Sequence, residues 1–251
     1  MPEQIIVTGE KGGVGKSFTA RALVEYHLDR QLTCIAFDMD RSNPDLKRCY
    51  ESVMPVRLAV FSESSKLEDA ANDTFNSATT CRTICNTPAQ TFIPFKIWIE
   101  QNDILELAKE ASVQLVIWFV SDCGYDSLKL FQRSLHTFGA IIPHVFVKNY
   151  GMTEDWEPFE QDETLQQLLI DYQVQVISLP KFVGNRDRNT IDELSLSFGE
   201  AREYEGFGAI SRQRVKSFLR KCYQEFDRVL TPPVTDKPSR KKRKSQAEAT
   251  S

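Results

Sequence analysis

Residues 10–17 read EKGGVGKS and follow the stretch IVTG at residues 6–9. Glycine costs backbone entropy on folding and closely spaced ammonium groups repel, so this run with Lys11 and Lys16 demands a compensating anion. A strand that enters a glycine-rich turn and then a helix supplies the geometry. Successive backbone N–H groups and the exposed helix start converge on phosphate oxygens, and side chains must be absent where the backbone approaches. That assigns Gly12, Gly13 and Gly15 to the close approach, Lys16 to the β and γ phosphates, and the Ser17 hydroxyl to a magnesium ion. Val14 and Phe18 complete the expected nucleotide contacts, and the expected anion is the triphosphate of ATP. The general spacing GxxxxGK[ST] is not met: its first place is Glu10, and the glycine stands one residue earlier, at Gly9.

The rest of the chain fits one nucleotide-binding domain. Its 251 residues, 41% hydrophobic, suffice for a single α/β core over residues 1–230. No apolar run approaches a membrane span, and the start has neither a basic leader nor a small-residue cleavage site, which points to the cytoplasm. The six cysteines are scattered without a CxxC pair, as free thiols in a reducing compartment are, and the three histidines read as packed or solvated. From Thr231 onward there are six basic and two acidic residues against 25 basic and 33 acidic before it. The tail, residues 231–251, lacks apolar periodicity and is expected to be disordered.

Short β-rich runs alternate with helical spacing, the pattern of a mostly parallel β-sheet with helices on both faces. Strands are predicted over Gln4 to Thr8, Leu32 to Asp38, Val56 to Phe61 at an edge, Arg82 to Asn86, Gln114 to Val120, His144 to Lys148 and Val174 to Leu179. QLVIWFV at residues 114–120 is apolar on both faces and is predicted at the sheet centre. Helices are predicted over Ser17 to Arg30, after an Asn43 cap with Pro44 in the first turn, over Lys66 to Ala78, around Phe95 to Glu100, and over Asp103 to Ala111. Ser127 to Phe138, Glu163 to Tyr172 and a final stripe from Val215 to Leu230 complete the set.

The loop form, with its second lysine at Lys11, resembles the deviant Walker A loop of the ParA/MinD-type P-loop ATPases, and the resemblance covers most of Gln4 to about Leu230. It implies that Lys11 reaches across an ATP-dependent homodimer to the partner's phosphates. FDMDRSNPDL (residues 37–46) is similar to the family's first switch, which places Asp38 near magnesium and gives Asp40 the attacking water to position. RTICNTPAQTF (residues 82–92) is similar to the second switch, with Asn86 where most of the family has an aspartate. A neutral amide still bonds a magnesium-bound water but removes a charge, which predicts weaker metal affinity or hydrolysis. Asp122, at the end of the 114–120 strand, either faces the same crevice or caps a helix. HVFVKNYG (residues 144–151) resembles the base-recognition strand end: the Asn149 amide matches the N6 and N7 edge of adenine, or else serves as a turn residue before Gly151. Pro180 and Lys181, in SLPKF, take the place of the loop that covers the base.

The TPAQTF segment, VIWFVSDCGYDSLKLF at residues 116–131 and the absence of an N-terminal helix-turn-helix extension resemble the short ParA-like proteins of plasmids and mobile elements, the MobD, TraL and StbB type. The implied function is a slow ATPase switch, with ATP and Mg2+, in mobilisation, conjugal transfer or partition. Its implied partners are a second copy, proteins of that apparatus and DNA, the DNA reached through basic residues 240–244 in the tail, with nucleoid association as a consequence. Two alternatives stay open. One is a noncatalytic nucleotide-binding adaptor, suggested by Asn86. The other is a metabolic enzyme on this fold, resembling dethiobiotin synthetase or nitrogenase reductase, for which Cys85 and Cys123 are the nearest cluster ligands.

Overall fold

The computed structural model describes residues 2–230. β1 (Glu3–Thr8) leads through the glycine-rich loop into α1 (Lys16–Asp29), and β2 (Cys34–Asp38), α2 (Asp45–Tyr50) and β3 (Val56–Leu58) follow. After a 3-10 turn at Ser65–Leu67 come α3 (Asn72–Ala78), β4 (Arg82–Asn86), α4 (Phe92–Gln101), α5 (Ile104–Glu110) and β5 (Gln114–Ser121). The chain continues with α6 (Tyr125–Phe138), β6 (His144–Asn149), α7 (Glu157–Glu160), α8 (Glu163–Asp171), β7 (Gln175–Leu179), α9 (Asn185–Glu193), α10 (Phe198–Ala201) and α11 (Ala209–Val229). The expected tail lies outside the described residues.

The seven strands pair in parallel in the order β3-β2-β4-β1-β5-β6-β7. Strand periodicity divides the core. Ile5, Val7, Val116, Trp118 and Val120 join α1, α2, α10 and α11 on one face, while Ile6, Leu115, Ile117 and Phe119 join the layer from α3 to α8 on the other. The middle of the sheet is β1, not the Gln114–Val120 run predicted there; β5 lies beside it. Buried Gln4, which donates to Thr74 Oγ1 at 2.8 Å, dilutes the apolar signal of β1.

β1 connects through α1 to β2, passing over the place that β4 fills, whereas β5 lies on its other side. The strand order therefore reverses at β1, and the loop after it opens onto the crevice at the carboxyl edge, where doubly wound sheets bind ligands.

Three local features depart from the sequence reading. The helix predicted over Lys66 to Ala78 is broken: Asp69 accepts both the Asn72 amide and its side chain, and such local bonding competes with helix propagation. Asn43 does not cap α2; its side chain bonds Asp45 at 3.2 Å, and Asp38 instead accepts the Lys47 amide at 3.0 Å. Helices α7, α9 and α10 are absent from the sequence reading. Polar α9 buries only Asp187 and Ile191, but α10 carries a legible signal in the reciprocal Ser197–Glu200 capping box.

Of the two readings, packed or solvated, His27 and His144 take the first. His27 lies between the Leu23 carbonyl (2.7 Å) and Arg82 (3.1 Å), and His144 between the Ile142 carbonyl (2.8 Å) and Ser134 (2.9 Å). Burial pushes both imidazoles from the ordinary 6.5 down to about 4, so they are neutral in the fold and take up protons on unfolding. Their stabilisation is full above about pH 6.5 and is lost as the pH falls toward 4, on the order of 2 kcal/mol each by pH 5. Urea unfolding should show a smaller loss of stability between pH 7 and pH 5 in His144→Gln than in the parent, by about 2 kcal/mol. Equal losses in the two proteins would contradict this assignment.

Candidate functional site

The loop is shaped by close approach. Gly15 is the N-cap of α1 at φ 99°, with no side chain capping the helix, so the first-turn amides, orphaned in any helix, open onto the crevice without a side-chain acceptor. A Cβ on Gly15 would stand 2.2 Å from Asn149 Nδ2, and one on Gly9 2.5 Å from the Val120 carbonyl oxygen. The second contact gives Gly9 a reason in packing against β5, independent of any ligand.

Lys16 is buried, and its Nζ donates to the carbonyls of Gly9 (2.9 Å) and Lys11 (3.1 Å). Burial lowers its pKa, opposed by the charges of Glu10 and Asp40. A cation held by peptide oxygens rather than by a touching carboxylate keeps most of its charge for an incoming anion.

Beside it lies an oxygen-rich cluster. Asp38 Oδ1 accepts from Asn86 Nδ2 (3.2 Å) and the Asp40 amide (3.3 Å), while Ser17 Oγ lies 3.4 Å from the same Asn86 nitrogen. Burial raises the Asp38 pKa, against the hydrogen bonds it accepts. Asn86 Oδ1 is buried with no partner. Hard oxygen donors from Ser17, Asp38 and this orphaned carbonyl fit a magnesium ion or its bound water.

The remaining predicted residues take different positions. Asp40 lines the crevice, and its Oδ1 accepts the Ser42 and Asn43 amides. Lys11 is paired within the chain, its Nζ 2.8 Å from Asp122 Oδ2. Asp122 is not among the crevice-lining residues and does not cap α6, whose N-cap is Gly124 without a side-chain cap bond; it pairs with Lys11, and its Oδ1 accepts the Gly124 amide at 3.0 Å in the turn ahead of the helix. Burial works to raise its carboxyl, but these partners hold it below the usual range. Asn149 is largely committed to the loop, donating to the Val14 carbonyl at 2.7 Å and accepting from the Gly151 amide at 2.9 Å; one N–H and one lone pair remain for a base. Phe18 borders the crevice, but its ring packs on Phe182, Phe198 and Phe218. Pro180 follows β7, whose Leu179 pairs with Asn149, and is not among the crevice-lining residues.

The crevice holds about 390 Å³ and brings together Gly12, Gly13, Gly15, Lys16, Ser17, Phe18, Asp40 and Asn149. Lys11, Val14 and Asp38 flank it. Sequence reasoning missed Arg21, Thr87, Met152 and Arg188 in its lining. Arg21 carried a signal, standing one helical turn after Ser17, and it clamps α1 to Asp192 at 2.7 Å. Two larger grooves, of about 590 and 580 Å³ beside Ile210 and Ile141, do not combine loop amides, a hydroxyl and carboxylates. Size does not decide the site here; convergent chemistry does.

No family model matches the chain. The cell-division ATPase MinD of Pyrococcus furiosus superposes with TM-score 0.54 at 14% identity, over 92% of this chain and 100% of that one. The chain has the MinD fold. MinD of Aquifex aeolicus gives TM-score 0.51 at 14% identity, over 89% of this chain and 98% of that one. A curated sequence relative, protein TraL of Escherichia coli, is 25% identical over 228 residues, covering 86% of this chain and 94% of that protein. The likeness read from the loop is thus met by the MinD fold, and the likeness to the TraL type by a relative matched over most of its length.

Asn149→Ala would strip the Val14 carbonyl and the Gly151 amide of their partner, two bonds of the loop's frame. It should lower unfolding free energy by about 1–3 kcal/mol in urea titration without nucleotide. An unchanged midpoint would mean that this side chain does not hold the loop.

Proposed function

We propose that the chain is an ATP-dependent switch of the ParA/MinD type, with slow, partner-stimulated hydrolysis, acting in plasmid mobilisation, transfer or partition. The observation that carries the reading is the buried Lys16 ammonium, bonded to peptide carbonyls and set beside an uncapped helix start. A nucleotide's phosphates supply the missing negative charge, received by the amides at Gly12 to Ser17. Magnesium, held by Ser17 and Asp38 with Asn86 nearby, shields phosphate charge when bound. Asp40 lies where it can orient a water, and Asn149 keeps a donor and an acceptor for adenine.

Dimerisation follows from Lys11. Its side chain is 43% exposed, and solvent screening leaves such an ion pair weak, so the bond to Asp122 is readily exchanged for a partner's phosphate. Tyr125 and Met152, 76% and 50% exposed, supply apolar contact at the same carboxyl edge for a second copy. No helix among the described residues is long and apolar enough to cross a membrane. DNA and proteins of the transfer or partition apparatus are the proposed partners; basic residues 240–244, assigned to DNA, lie outside the described residues. Asn86, in place of a carboxylate, favours a second reading, an adaptor that binds nucleotide without turnover; phosphate release measured with and without DNA separates the two.

Lys16→Ala should weaken ATP binding by about two orders of magnitude in calorimetry. Lys11→Ala should bind ATP within about threefold of the parent and yet remain monomeric by light scattering, because an exposed, screened ammonium adds little to the affinity of its own subunit. An ATP-loaded dimer of Lys11→Ala would refute the crossing lysine.

A further inference from the structure

We propose that Arg188, on α9, binds the α-phosphate of the nucleotide from across the crevice. The inference rests on the nucleotide reading of the phosphate loop and adds a binding residue to the same site.

Helices α9 and α10 run beside α1 in the same direction, and their contacts advance in step. Asp192 pairs with Arg21 at 2.7 Å, a Cβ on Gly199 would meet Glu25 Oε1 at 2.6 Å, and Arg202 pairs with Asp29 at 2.6 Å. Arg21, Glu25 and Asp29 follow one another by single turns of α1, and Ser17 stands one turn before Arg21. On α9, Arg188 stands one turn before Asp192 and shares its face. Continued back by that turn, the register sets Arg188 level with Ser17 at the first turn of α1, and both residues line the crevice.

The charges there are unequally matched. Of the carboxylates in the lining, Asp192 is taken by Arg21 and Asp45 by Arg48, while Asp40 accepts the amides of its own loop. Of the cations, Lys16 bonds two carbonyls, and Arg21 bonds Asp192 and the Leu196 carbonyl while its Nε is buried without a partner. Arg188 is exposed, and its side chain has no hydrogen-bond or ion-pair partner among the described residues. A guanidinium set against the positive end of a helix that no side chain caps is favoured when an anion lies between them.

Position selects the anion. Asp38 and Asn86, on the magnesium side, end β2 and β4 to one side of β1, whereas α9 arrives from β7, on the side of Asn149. In the nucleotide reading Lys16 takes the β and γ phosphates, so the phosphate between it and the base is the α. A planar guanidinium fork matches two of its oxygens. ATP and ADP share this group, so Arg188 holds both alike and leaves the distinction between them to the magnesium side of the crevice.

Calorimetry of the full chain with Mg-ATP and with Mg-ADP tests the assignment. Arg188→Ala should weaken both ligands by the same factor, about tenfold, the scale of one charge-assisted contact. Arg188→Lys keeps the charge without the fork and should bind both within about threefold of the parent. The urea midpoint without nucleotide should be the same in all three proteins, because the guanidinium has no partner in the fold. Binding by Arg188→Ala equal to that of the parent would overturn the assignment and leave the nucleotide reading standing. A loss for ATP alone would place the contact on the γ-phosphate, and an Arg188→Lys protein no better than Arg188→Ala would show that charge is not what binds; either result refutes the α-phosphate contact. So would a loss of DNA binding by ATP-loaded Arg188→Ala at unchanged nucleotide affinity. If the parent gives no heat with either nucleotide, the nucleotide reading fails and this contact with it.

Discussion

A buried positive charge that lacks a contacting counter-charge is the constraint around which this molecule is arranged. Lys16 sits at the start of α1 with its ammonium turned back onto two peptide carbonyls. Burial of an ammonium costs several kcal/mol, and carbonyl bonds offset only part of that. The loop that bears this cost is held in shape by contacts unrelated to any ligand: Gly9 lies against β5, Gly15 against Asn149, and the Val14 carbonyl on the same asparagine. The framework keeps the charge in place, and the charge gives the framework an anion to bind.

The crevice balances this charge unevenly. Asp38 and Asp40 stand on one side, Lys11 and Asp122 form a pair on another, and the place where a third carboxylate would complete the cluster holds Asn86. The orphaned Asn86 carbonyl keeps the site fit for a hard cation while removing one unit of negative charge. The loop after β2 is tied through Asp38 to the start of α2, and the segment after β4 is tied through Thr87 to the Val7 carbonyl and through the Gln90 amide to the Glu10 carbonyl.

The strands and the loop were legible because their signals are local. Continuous apolar runs in β5 and β6, and the glycine and lysine spacing of residues 10–17, depend on neighbours in sequence. The centre of the sheet was misplaced because buried Gln4, whose Nε2 donates to Thr74 and Cys85 from distant segments, makes β1 look less interior than it is. Asn43 read as a cap from its position before Pro44, but Asp38, nine residues before the amide it accepts, outcompetes it. In the candidate site, residue types were legible and commitments were not: that Lys11 is paired with Asp122, and that Asn149 spends half of its amide on the loop, are facts of tertiary distance.

The central claim is that backbone amides from Gly12 to Ser17, together with the Lys16 ammonium, form a polyanion site at the carboxyl edge of β1. Amide chemical shifts, recorded as Mg-ATP is added to the full chain, test it most directly. The account predicts that the largest changes fall on Gly12, Gly13, Gly15, Lys16 and Ser17. Changes centred elsewhere, on the groove beside Ile210 for instance, or no changes at all, would contradict it.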